Sequence, residues 1–517
     1  MKRRNFIKNM SVAAAVSPMA FDNLVYQTFG QKWDEISASY QDRVLVIIRL
    51  NGGNDGLNTV IPVGQYPNLG IQRGNVIIPQ NDVLTLNNDV GLHPVMTGMK
   101  DLFDNGKLSI IHNVGYPDQN RSHFRSMDIW SSGLINSQAT TGWLGRNFDI
   151  EFPGYPDNYP NANAPDPIAV SLGYEISSTC QGVLANFSHA VNDPFDNFNL
   201  ATSNVVDDGT YYGNQVKYLA TIIEQANQYG AQINIAANSG NTLSTKYNAN
   251  DDLSIQLQHV ARMISGGLKT KAYILNIGGF DTHDAQVYSA NTTGGTHADL
   301  LKSLSDGIEA FQDDLNLLGL EERVLGMTFS EFGRQIASNA SFGTDHGDAG
   351  PMFLFGSCVN NSEVGTIPNI PNQVINQAGL PMEVDFRDIY GSILNNWFGI
   401  DKTQVQTLFE IPITFMNLAT GCAVTSVEDE INLAVNEAVL YPNPCYKNAS
   451  IRLNTLNEDV VINVLDMQGT VVTTAFNGGL TEGEHDLPMQ LESLTAGNYV
   501  VRVEKESGVV IKKLIKA

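Results

Sequence analysis

Carboxylate and histidine residues collect just after short apolar runs at several places in this chain. The polar segments are Asn51–Gly56, Gly278–His283, Ser330–Arg334 and, shortly after the last of these, Gly343–Gly347. Hard carboxylate oxygens and imidazole nitrogens suit Zn, Mn or Mg better than a soft metal. The pattern therefore predicts a metal-dependent active site.

The apolar runs that precede these segments must position them. Arg43–Leu50, Lys271–Ile277 and Arg323–Phe329 are short and rich in β-formers, as is typical of buried parallel strands. The residues 299–311 carry apolar side chains at helical spacing between two of these runs, as a βαβ crossover requires. Open α/β sheets bind ligands beyond the carboxyl ends of such strands. We therefore expect an α/β domain with a mostly parallel sheet and its site at that edge.

Composition limits the fold and the partners. The chain has 517 residues, of which 42% are hydrophobic, and a formal net charge of −24. This length predicts two or three folded units. Nucleic acid and anionic lipid both need a cationic face, so the acidic balance disfavours them as partners. No segment after the N-terminus reaches about 18 uninterrupted apolar residues, and we predict no membrane-spanning helix.

The four cysteines, Cys180, Cys358, Cys422 and Cys445, are widely spaced and form no CxxC pair. They do not suggest a zinc site, and one or two disulfides are possible in an oxidising compartment. The sequence leaves the pairing open.

The N-terminus predicts an export signal. The basic Lys2–Lys8 precedes the modestly apolar Met10–Val16, a pattern typical of a signal peptide within residues 1–30. The arginine pair resembles a twin-arginine signal, whose route carries folded proteins and would allow metal loading before export through the inner membrane. The alternative is an ordinary secretory signal with a basic start.

The last 80 residues have a different hydrophobic pattern from the rest of the chain. After a predicted linker at 423–437, short alternating runs over 438–517 predict a small β-sandwich. Tyr441–Pro444, Asp466–Gly469 and Leu494–Tyr499 together resemble the C-terminal sorting domain of the type nine secretion system of Bacteroidetes. The resemblance implies delivery by that machinery to the cell surface or the medium. A carbohydrate-binding or adhesive sandwich is the alternative.

Six motifs between residues 40 and 422 occur in an order that resembles the domain-of-unknown-function 1501 family. They are Asn51–Asn58, Arg121–Phe124, Gly142–Gly145, Gly278–His283, Ser330–Arg334 and Gly343–Gly347. That family is related in fold to the alkaline phosphatase and sulfatase superfamily. The resemblance implies a three-layer α/β/α domain with a mostly parallel sheet.

The resemblance also implies roles for residues near the first two motifs. Asp55 matches the metal-binding Asp at the end of the superfamily's first strand, and Ser122 matches its nucleophile at a helix start. A helix N-terminus would offer N–H groups to an anionic substrate. The alternative for Ser122 is a plain helix N-cap. His123 is a candidate ligand, a general acid or a packed ring.

The later motifs imply the remaining metal ligands. Asp281 and His283 match a ligand pair, with spacing Asp-x-His where the phosphatases have Asp-x-x-x-His. Glu331 matches an Asp, but Phe332 stands where the superfamily has His, which removes one ligand. His346 matches the final metal His. Asp345 is a candidate ligand or the partner that orients His346. Arg121 and Arg334 are candidates to bind an anionic group through two hydrogen bonds each, and the alternative for each is an ion pair with a carboxylate.

Two functional classes remain open on this sequence. The first is a secreted metallohydrolase of phosphate or sulfate esters, acting on a small anionic ester or glycan through Ser122 with one or two divalent ions. Zn is the expected ion, and Mn, Mg and Ca are alternatives. The second is a surface protein that keeps the fold and binds metal without turnover. Action on a carboxylic ester or polysaccharide is a third route, because fold does not fix reaction.

Overall fold

The computed structural model describes most of the chain as two compact units. One unit is bounded by Tyr40 and Cys422, and the other contains the described residues after Ala423. The described residues are 42–135, 139–196, 200, 209–360, 363–375, 377–420, 422, 438–443, 445–455, 457–465, 471–505 and 508–516. The predicted export signal and linker lie outside these residues.

The strands of the first unit form one large sheet and two small ones. Nine strands belong to the large sheet: β1 (Val44–Leu50), β5 (Leu108–Gly115), β6 (Ala169–Leu172), β7 (Ser188–Val191), β8 (Ala272–Ile277), β9 (Val324–Phe329), β12 (Gly350–Phe355), β13 (Glu363–Val364) and β14 (Val384–Asp385). The small sheets comprise β2 (Val60–Ile61), β3 (Leu84–Thr85) and β4 (Gly91–Leu92), and β10 (Arg334–Ser338) with β11 (Thr344–His346).

The large sheet has the order β13-β5-β12-β9-β1-β8-β6-β7, with β14 also paired to β5. β1 lies between β8 and β9 and is parallel to both, and β12 runs antiparallel to its neighbours β9 and β5. The other described pairings in this sheet are parallel. The carboxyl ends of β1, β5, β8 and β9 consequently meet at one edge, together with the start of β12.

Helices cover both faces of this sheet. They are α1 (Gly56–Thr59), α2 (Tyr66–Arg73), α3 (Thr97–Asp104), α4 (His123–Ser132), α5 (Trp143–Glu151), α6 (Tyr211–Ser239), α7 (Asp252–Ser265), α8 (Thr296–Leu317), α9 (Phe386–Asn396) and α10 (Lys402–Gln406). Short 3₁₀ turns lie at Val63–Gln65, Gln80–Asp82, Ser178–Cys180 and Glu321–Arg323. Among the described helices, none combines the length and apolar character needed to cross a membrane.

The alternation of side chains along β1 explains the layers. Val46 and Ile48 pack with α7 and α8 in one apolar core, whereas Leu45 and Ile47 pack with α4 and α9 in another. A strand that is buried on both faces needs a continuous apolar run, which is what β1 has. The predicted three-layer α/β/α architecture with a mostly parallel sheet is thus confirmed.

The second unit consists of two antiparallel sheets around one core. One sheet contains β15 (Ala438–Tyr441), β16 (Asn448–Thr455) and β19 (Gly483–Gln490); the other contains β17 (Glu458–Leu465), β18 (Val471–Leu480), β20 (Gly497–Lys505) and β21 (Gly508–Lys516). Alternate residues such as Ile451, Ile462 and Val501 fill the shared core. This confirms the predicted C-terminal β-sheet unit.

The structure settles the cysteine pairing that the sequence left open. Cys358 and Cys422 form a disulfide across a sequence separation of 64 residues. Cys180 and Cys445 are buried free thiols. A covalent link near the end of the first unit fits an oxidising compartment.

His189 gives the first unit a testable pH dependence. Its ring packs edge-on against Tyr229, and burial lowers the pKa of His189 to about 4. The unfolded chain therefore binds a proton at this site below its ordinary pKa of about 6.5, while the folded chain does not until about pH 4. We expect stability to fall as the pH drops through this window, and the His189→Phe variant to fall less steeply.

Thermal unfolding across that pH range measures this effect. At pH 8 His189 is neutral in both states, so the difference between variant and parent there serves as the baseline. Parallel pH profiles for the two proteins would contradict the assignment.

Candidate metal centre

The motif segments meet at the carboxyl edge of the large sheet. The loop after β1 packs directly on the loop after β8: Gly52 has φ 124°, and a Cβ there would lie 2.2 Å from the Asp281 backbone nitrogen. Only glycine adopts this conformation at such close range without strain. β11 brings Asp345 and His346 to the same edge, and α4 begins there with His123. Motif segments that are far apart in the sequence thus form a single cluster.

Three histidines turn toward one carboxylate. The Oδ1 atom of Asp281 lies 3.2 Å from Nε2 of His283 and 3.2 Å from Nε2 of His346, and these two nitrogens are 2.9 Å apart. Nε2 of His123 lies 3.5 Å from Oδ2 of Asp281. One ligand atom from each of His123, Asp281 and His346 lies within 4.8 Å of the others. A tetrahedral zinc ion with bonds of about 2.0–2.1 Å places its ligands about 3.3 Å apart, close to the observed spacing.

Each of the three rings is fixed through its other nitrogen. Nδ1 of His123 lies 2.8 Å from Oε1 of Glu331, and Nδ1 of His283 lies 2.8 Å from Oδ1 of Asp345. Nδ1 of His346 lies 2.9 Å from the Arg121 carbonyl oxygen. An acceptor on Nδ1 that orients the ring and leaves Nε2 free is the usual arrangement around metal-bound histidine.

The tautomers that these contacts impose leave an electrostatic conflict that a cation resolves. A backbone carbonyl can only accept, so Nδ1 of His346 carries the hydrogen and a neutral ring presents a lone pair at Nε2. The same reasoning applies to His283, whose Nδ1 faces a carboxylate. Two lone pairs then face each other and Asp281. A positive ion between them converts this repulsion into coordination, so the residues fit a divalent metal.

The pKa shifts agree with a cation-binding state. Burial raises the pKa of Asp281, but the hydrogen bond from Arg334 and the charge of that guanidinium outweigh it and leave that pKa lowered. Burial likewise opposes a net lowering of the pKa of Asp345, which comes chiefly from the His283 hydrogen bond. Burial lowers the pKa of His346, against the effect of Asp281. At neutral pH the carboxylates are charged and His346 is neutral, as metal ligands must be.

Glu331 lies behind His123 and is almost fully buried. Its Oε1 atom accepts hydrogen bonds from His123 and, at 2.8 Å, from the Gly52 backbone nitrogen. Its carbonyl oxygen accepts from the Trp130 indole at 2.9 Å, from Gln119 and from the Ser126 hydroxyl. This places Glu331 as the residue that orients His123, and a direct ligand role stays a prediction.

Phe332 occupies the position where the resemblance expects a histidine. Its buried ring lies 4.6 Å from the His346 ring and 5.0 Å from the His123 ring, measured between centroids. An apolar ring against these two imidazoles fixes their planes and keeps water away from one side. It supplies no ligand atom, which favours a single ion.

Ser122 is exposed at the N-cap of α4 and makes no side-chain capping bond there. Its backbone nitrogen donates to Oδ1 of Asn120 at 2.9 Å, which holds the turn that begins the helix. An exposed hydroxyl next to His123, with the first helical N–H groups beside it, is suited to meet an anionic substrate.

The two arginines predicted to bind substrate already have protein partners. Arg121 donates to both carboxylate oxygens of Asp348, at 2.9 and 2.7 Å. The fully buried side chain of Arg334 donates to Oδ1 of Asp281 at 2.8 Å and to the carbonyl oxygens of Gly52, Gly53, Phe280 and Thr344. Arg334 thereby fixes the loops that carry the ligands. Substrate contact by either guanidinium stays a prediction.

Asp55 is buried in a polar network beneath the cluster. Arg73 donates to its two carboxylate oxygens at 3.0 and 2.8 Å, and Gln286 donates at 2.6 Å. The Oε1 atom of Gln286 accepts from the hydroxyls of Thr282 and Thr344, which are adjacent in sequence to Asp281 and Asp345, respectively. The structure therefore brings Asp55 to an ion pair, and its predicted role as a ligand has no support from these contacts.

Sequence reasoning did not single out four residues of this site: Arg73, Gln286, Asn339 and Asp348. Asn339 donates to Oδ1 of Asp345 at 3.0 Å. Gln286 and Asp348 lie within five residues of a motif histidine, which was an available signal. Arg73 and Asn339 stand in loops and short helices with no local pattern that points to the site.

Comparison with known proteins adds distant structural similarities. The structure is similar to a protein in the alkaline phosphatase superfamily from Vibrio parahaemolyticus, at 11% identity, with 90% of each chain covered and a TM-score of 0.35. It is also similar to the PsFucS1 sulfatase from Pseudoalteromonas sp., at 10% identity, with 89% and 88% of the chains covered and a TM-score of 0.32. Alkaline phosphatase from the Antarctic bacterium TAB5 covers 61% of this chain at 11% identity with a TM-score of 0.26. Scores this low decide nothing about the chemistry of the site.

Family models identify both parts of the chain. No curated protein matches it. Residues 439–517 match the secretion system C-terminal sorting domain, which implies export to the cell surface or beyond. Residues 42–409 match the family described as protein of unknown function (DUF1501). Because that match spans most of the chain, the protein belongs to the DUF1501 family.

Proposed function

We propose that this protein is a metal-dependent hydrolase of phosphate or sulfate esters at the cell surface or in the medium, with Ser122 as nucleophile. The observation that carries the proposal is the convergence of three oriented histidines on Asp281. Exposed acidic groups are common without metal, but rings fixed at Nδ1 with Nε2 atoms facing one another are the usual arrangement of metal-bound histidines.

The residues that would hold the ion are Asp281, His283 and His346. Their two imidazole nitrogens and one carboxylate oxygen suit zinc, and Mn, Mg or Ca would need more oxygen ligands. A bound divalent ion polarises an ester oxygen and lowers the pKa of a nearby hydroxyl. Around the cluster, Asp281, Asp345, Glu331 and Asp348 outnumber the two arginines, so an anionic ester has no net attraction to the protein groups alone.

The protein groups have distinct tasks in the proposed reaction. The Ser122 oxygen forms the new bond to phosphorus or sulfur as the bond to the ester's alcohol oxygen breaks. The alcohol departs with the proton that His123 took from Ser122, and water then attacks the same phosphorus or sulfur atom and frees Ser122. Glu331 holds Nδ1 of His123 at 2.8 Å, so Nε2 of that ring is the basic atom that can take the Ser122 proton. Carboxylate, imidazole and hydroxyl in this order follow the logic of other activated nucleophiles. The first N–H groups of α4 stabilise negative charge on the substrate.

Substitution of Ser122 tests the catalytic claim. We expect zinc-loaded Ser122→Ala to hydrolyse p-nitrophenyl phosphate or p-nitrophenyl sulfate at least about 100-fold more slowly than the parent, because the nucleophile is gone. Its zinc content should not change. Ser289→Ala, in the exposed loop after His283, is the matched control.

Other outcomes separate the alternatives. Hydrolysis of p-nitrophenyl acetate alone would support the carboxylic ester route. Equal rates for the Ser122 and Ser289 variants would exclude Ser122 as nucleophile.

A second candidate is a surface protein that binds metal without turnover. Phe332 favours it, because this apolar ring stands beside His123 and His346 where the superfamily has a further histidine. Stoichiometric zinc in a protein that hydrolyses none of the three esters would favour this role over the hydrolase.

A further inference from the structure

Arg49 lies at the carboxyl end of β1 and has no part in the metal centre described above. Arg49 is partly exposed, yet its Nε atom is buried and finds no hydrogen-bond acceptor among the described residues. Its interactions with Glu331, Glu175 and Tyr390 are electrostatic only. By contrast, the guanidinium groups of Arg73, Arg121 and Arg334 all have carboxylate partners. Arg49 is thus a cation at the binding edge whose hydrogen-bonding capacity is unused.

Three further polar groups beside Arg49 are also unsatisfied. In the parallel pairing of β1 with β8, Arg49 lies opposite Asn276, so both side chains project from the same face. Asn51 follows two residues later on that face. The Oδ1 atoms of Asn51 and Asn276 and the hydroxyl of Tyr390 are buried and find no partner within the described chain.

Unsatisfied groups in this number call for a ligand or bound water. An unpaired buried polar atom destabilises a fold, so a cluster of such atoms is retained where a ligand or water supplies the missing hydrogen bonds. The group is also at the same edge of the sheet as the metal centre, since Asp281 follows β8 by four residues.

We propose that Arg49, Asn51 and Asn276 form a subsite for the sugar portion of an anionic ester, beside the metal centre. This inference rests on the proposed function and names its substrate class. The guanidinium requires an acceptor, while the two amide oxygens require donors. A simple anion satisfies only Arg49. A sugar hydroxyl both accepts and donates, and it satisfies either orientation of the amides.

Direct binding by the full-length, zinc-loaded protein tests this subsite. The probes are glucose 6-sulfate and glucose 6-phosphate, followed by isothermal titration calorimetry. We expect Arg49→Met to weaken binding by roughly 10-fold or more, because a hydrogen bond to a charged group is lost, and Asn276→Ala to weaken it by roughly 5-fold, because that bond joins neutral groups. Arg323→Met is the matched control: this partly exposed arginine immediately precedes β9, at the opposite edge of the same sheet.

Stability gives an independent readout. A structural arginine would destabilise the protein on replacement, whereas the removal of an unpaired, partly buried cation should leave the unfolding temperature of Arg49→Met unchanged or raised. A large drop in that temperature would overturn the inference.

These experiments distinguish failure of the subsite proposal from failure of the hydrolase proposal. If the parent binds the sugar esters, Arg49→Met does not and no ester is hydrolysed, the subsite stands and the hydrolase proposal fails. Equal affinities for Arg49→Met and Arg323→Met would overturn the subsite whatever the rate of hydrolysis. So would a parent protein that binds neither sugar ester.

Discussion

Replacement of both His283 and His346 by alanine should remove metal from the protein. Structural zinc in proteins contributes about 10–16 kcal/mol over four ligands, or about 3 kcal/mol each. Loss of two ligands therefore lowers the affinity for zinc by about 10⁴-fold. We expect elemental analysis to find about one equivalent of zinc in the parent after dialysis and almost none in the double variant.

Single variants around the cluster should lower the affinity for zinc by smaller amounts that depend on the role of each residue. Asp281→Asn loses a ligand, and affinity should fall by about 100-fold. Asp345→Asn only perturbs the acceptor behind His283, and about 10-fold is expected. Asp284→Asn is the matched control, because Asp284 is exposed three residues from Asp281 and, among the described residues, makes no side-chain hydrogen bond or ion pair with the cluster. A parent without metal, or equal zinc in the Asp281 and Asp284 variants, would exclude this centre.

The fold was accessible from the sequence because its signals are local. β1, β8 and β9 are apolar runs with no polar interruption except Arg49, Asn276 and Thr328, and they are followed by asparagine, glycine and serine, respectively. Parallel strands of this kind must pair inside an α/β domain, which also brings their polar C-terminal segments together. The family resemblance then assigned roles to the motifs at that edge.

Ring orientations in the site were not accessible in this way. The Glu331 carboxylate faces His123 because the backbone nitrogen of Gly52 donates a hydrogen bond to it. Gly52 is 279 positions away in the sequence. The loop after β9 turns the Glu331 side chain inward and its carbonyl oxygen toward Trp130. Such choices follow from tertiary hydrogen bonds, which sequence spacing does not encode.

Asp55 shows the same limit most clearly. Its position after β1 predicts a metal ligand. That prediction holds only if the Asp55 carboxylate is not already paired with a cationic side chain. Arg73, in α2, reaches it with two hydrogen bonds, and both side chains are almost fully buried. Burial raises the pKa of Asp55, but the charge of Arg73 and the hydrogen bonds from Arg73 and Gln286 leave it lowered. The carboxylate is therefore charged and already neutralised.

Replacement of Arg73 should be the most destabilising single change at this edge. Arg73→Met leaves the Asp55 carboxylate buried without its counter-ion, and breaking a buried pair from one side costs about 3–5 kcal/mol. In the double variant Arg73→Met/Asp55→Leu no charge remains, and most of that loss should be recovered. Urea unfolding of the parent, both single variants and the double variant measures the coupling.

Zinc content of the double variant decides what Asp55 does. If Asp55 only anchors Gln286, and through it Thr282 and Thr344, the double variant should still bind about one equivalent of zinc with affinity lowered by about 10-fold, as expected for a change behind the ligands. If Asp55 is a ligand, as its sequence position predicts, affinity should fall about 100-fold, to the level of Asp281→Asn. Because the double variant keeps no buried charge, its folding does not confuse the comparison, and the two roles of Asp55 separate on one measurement.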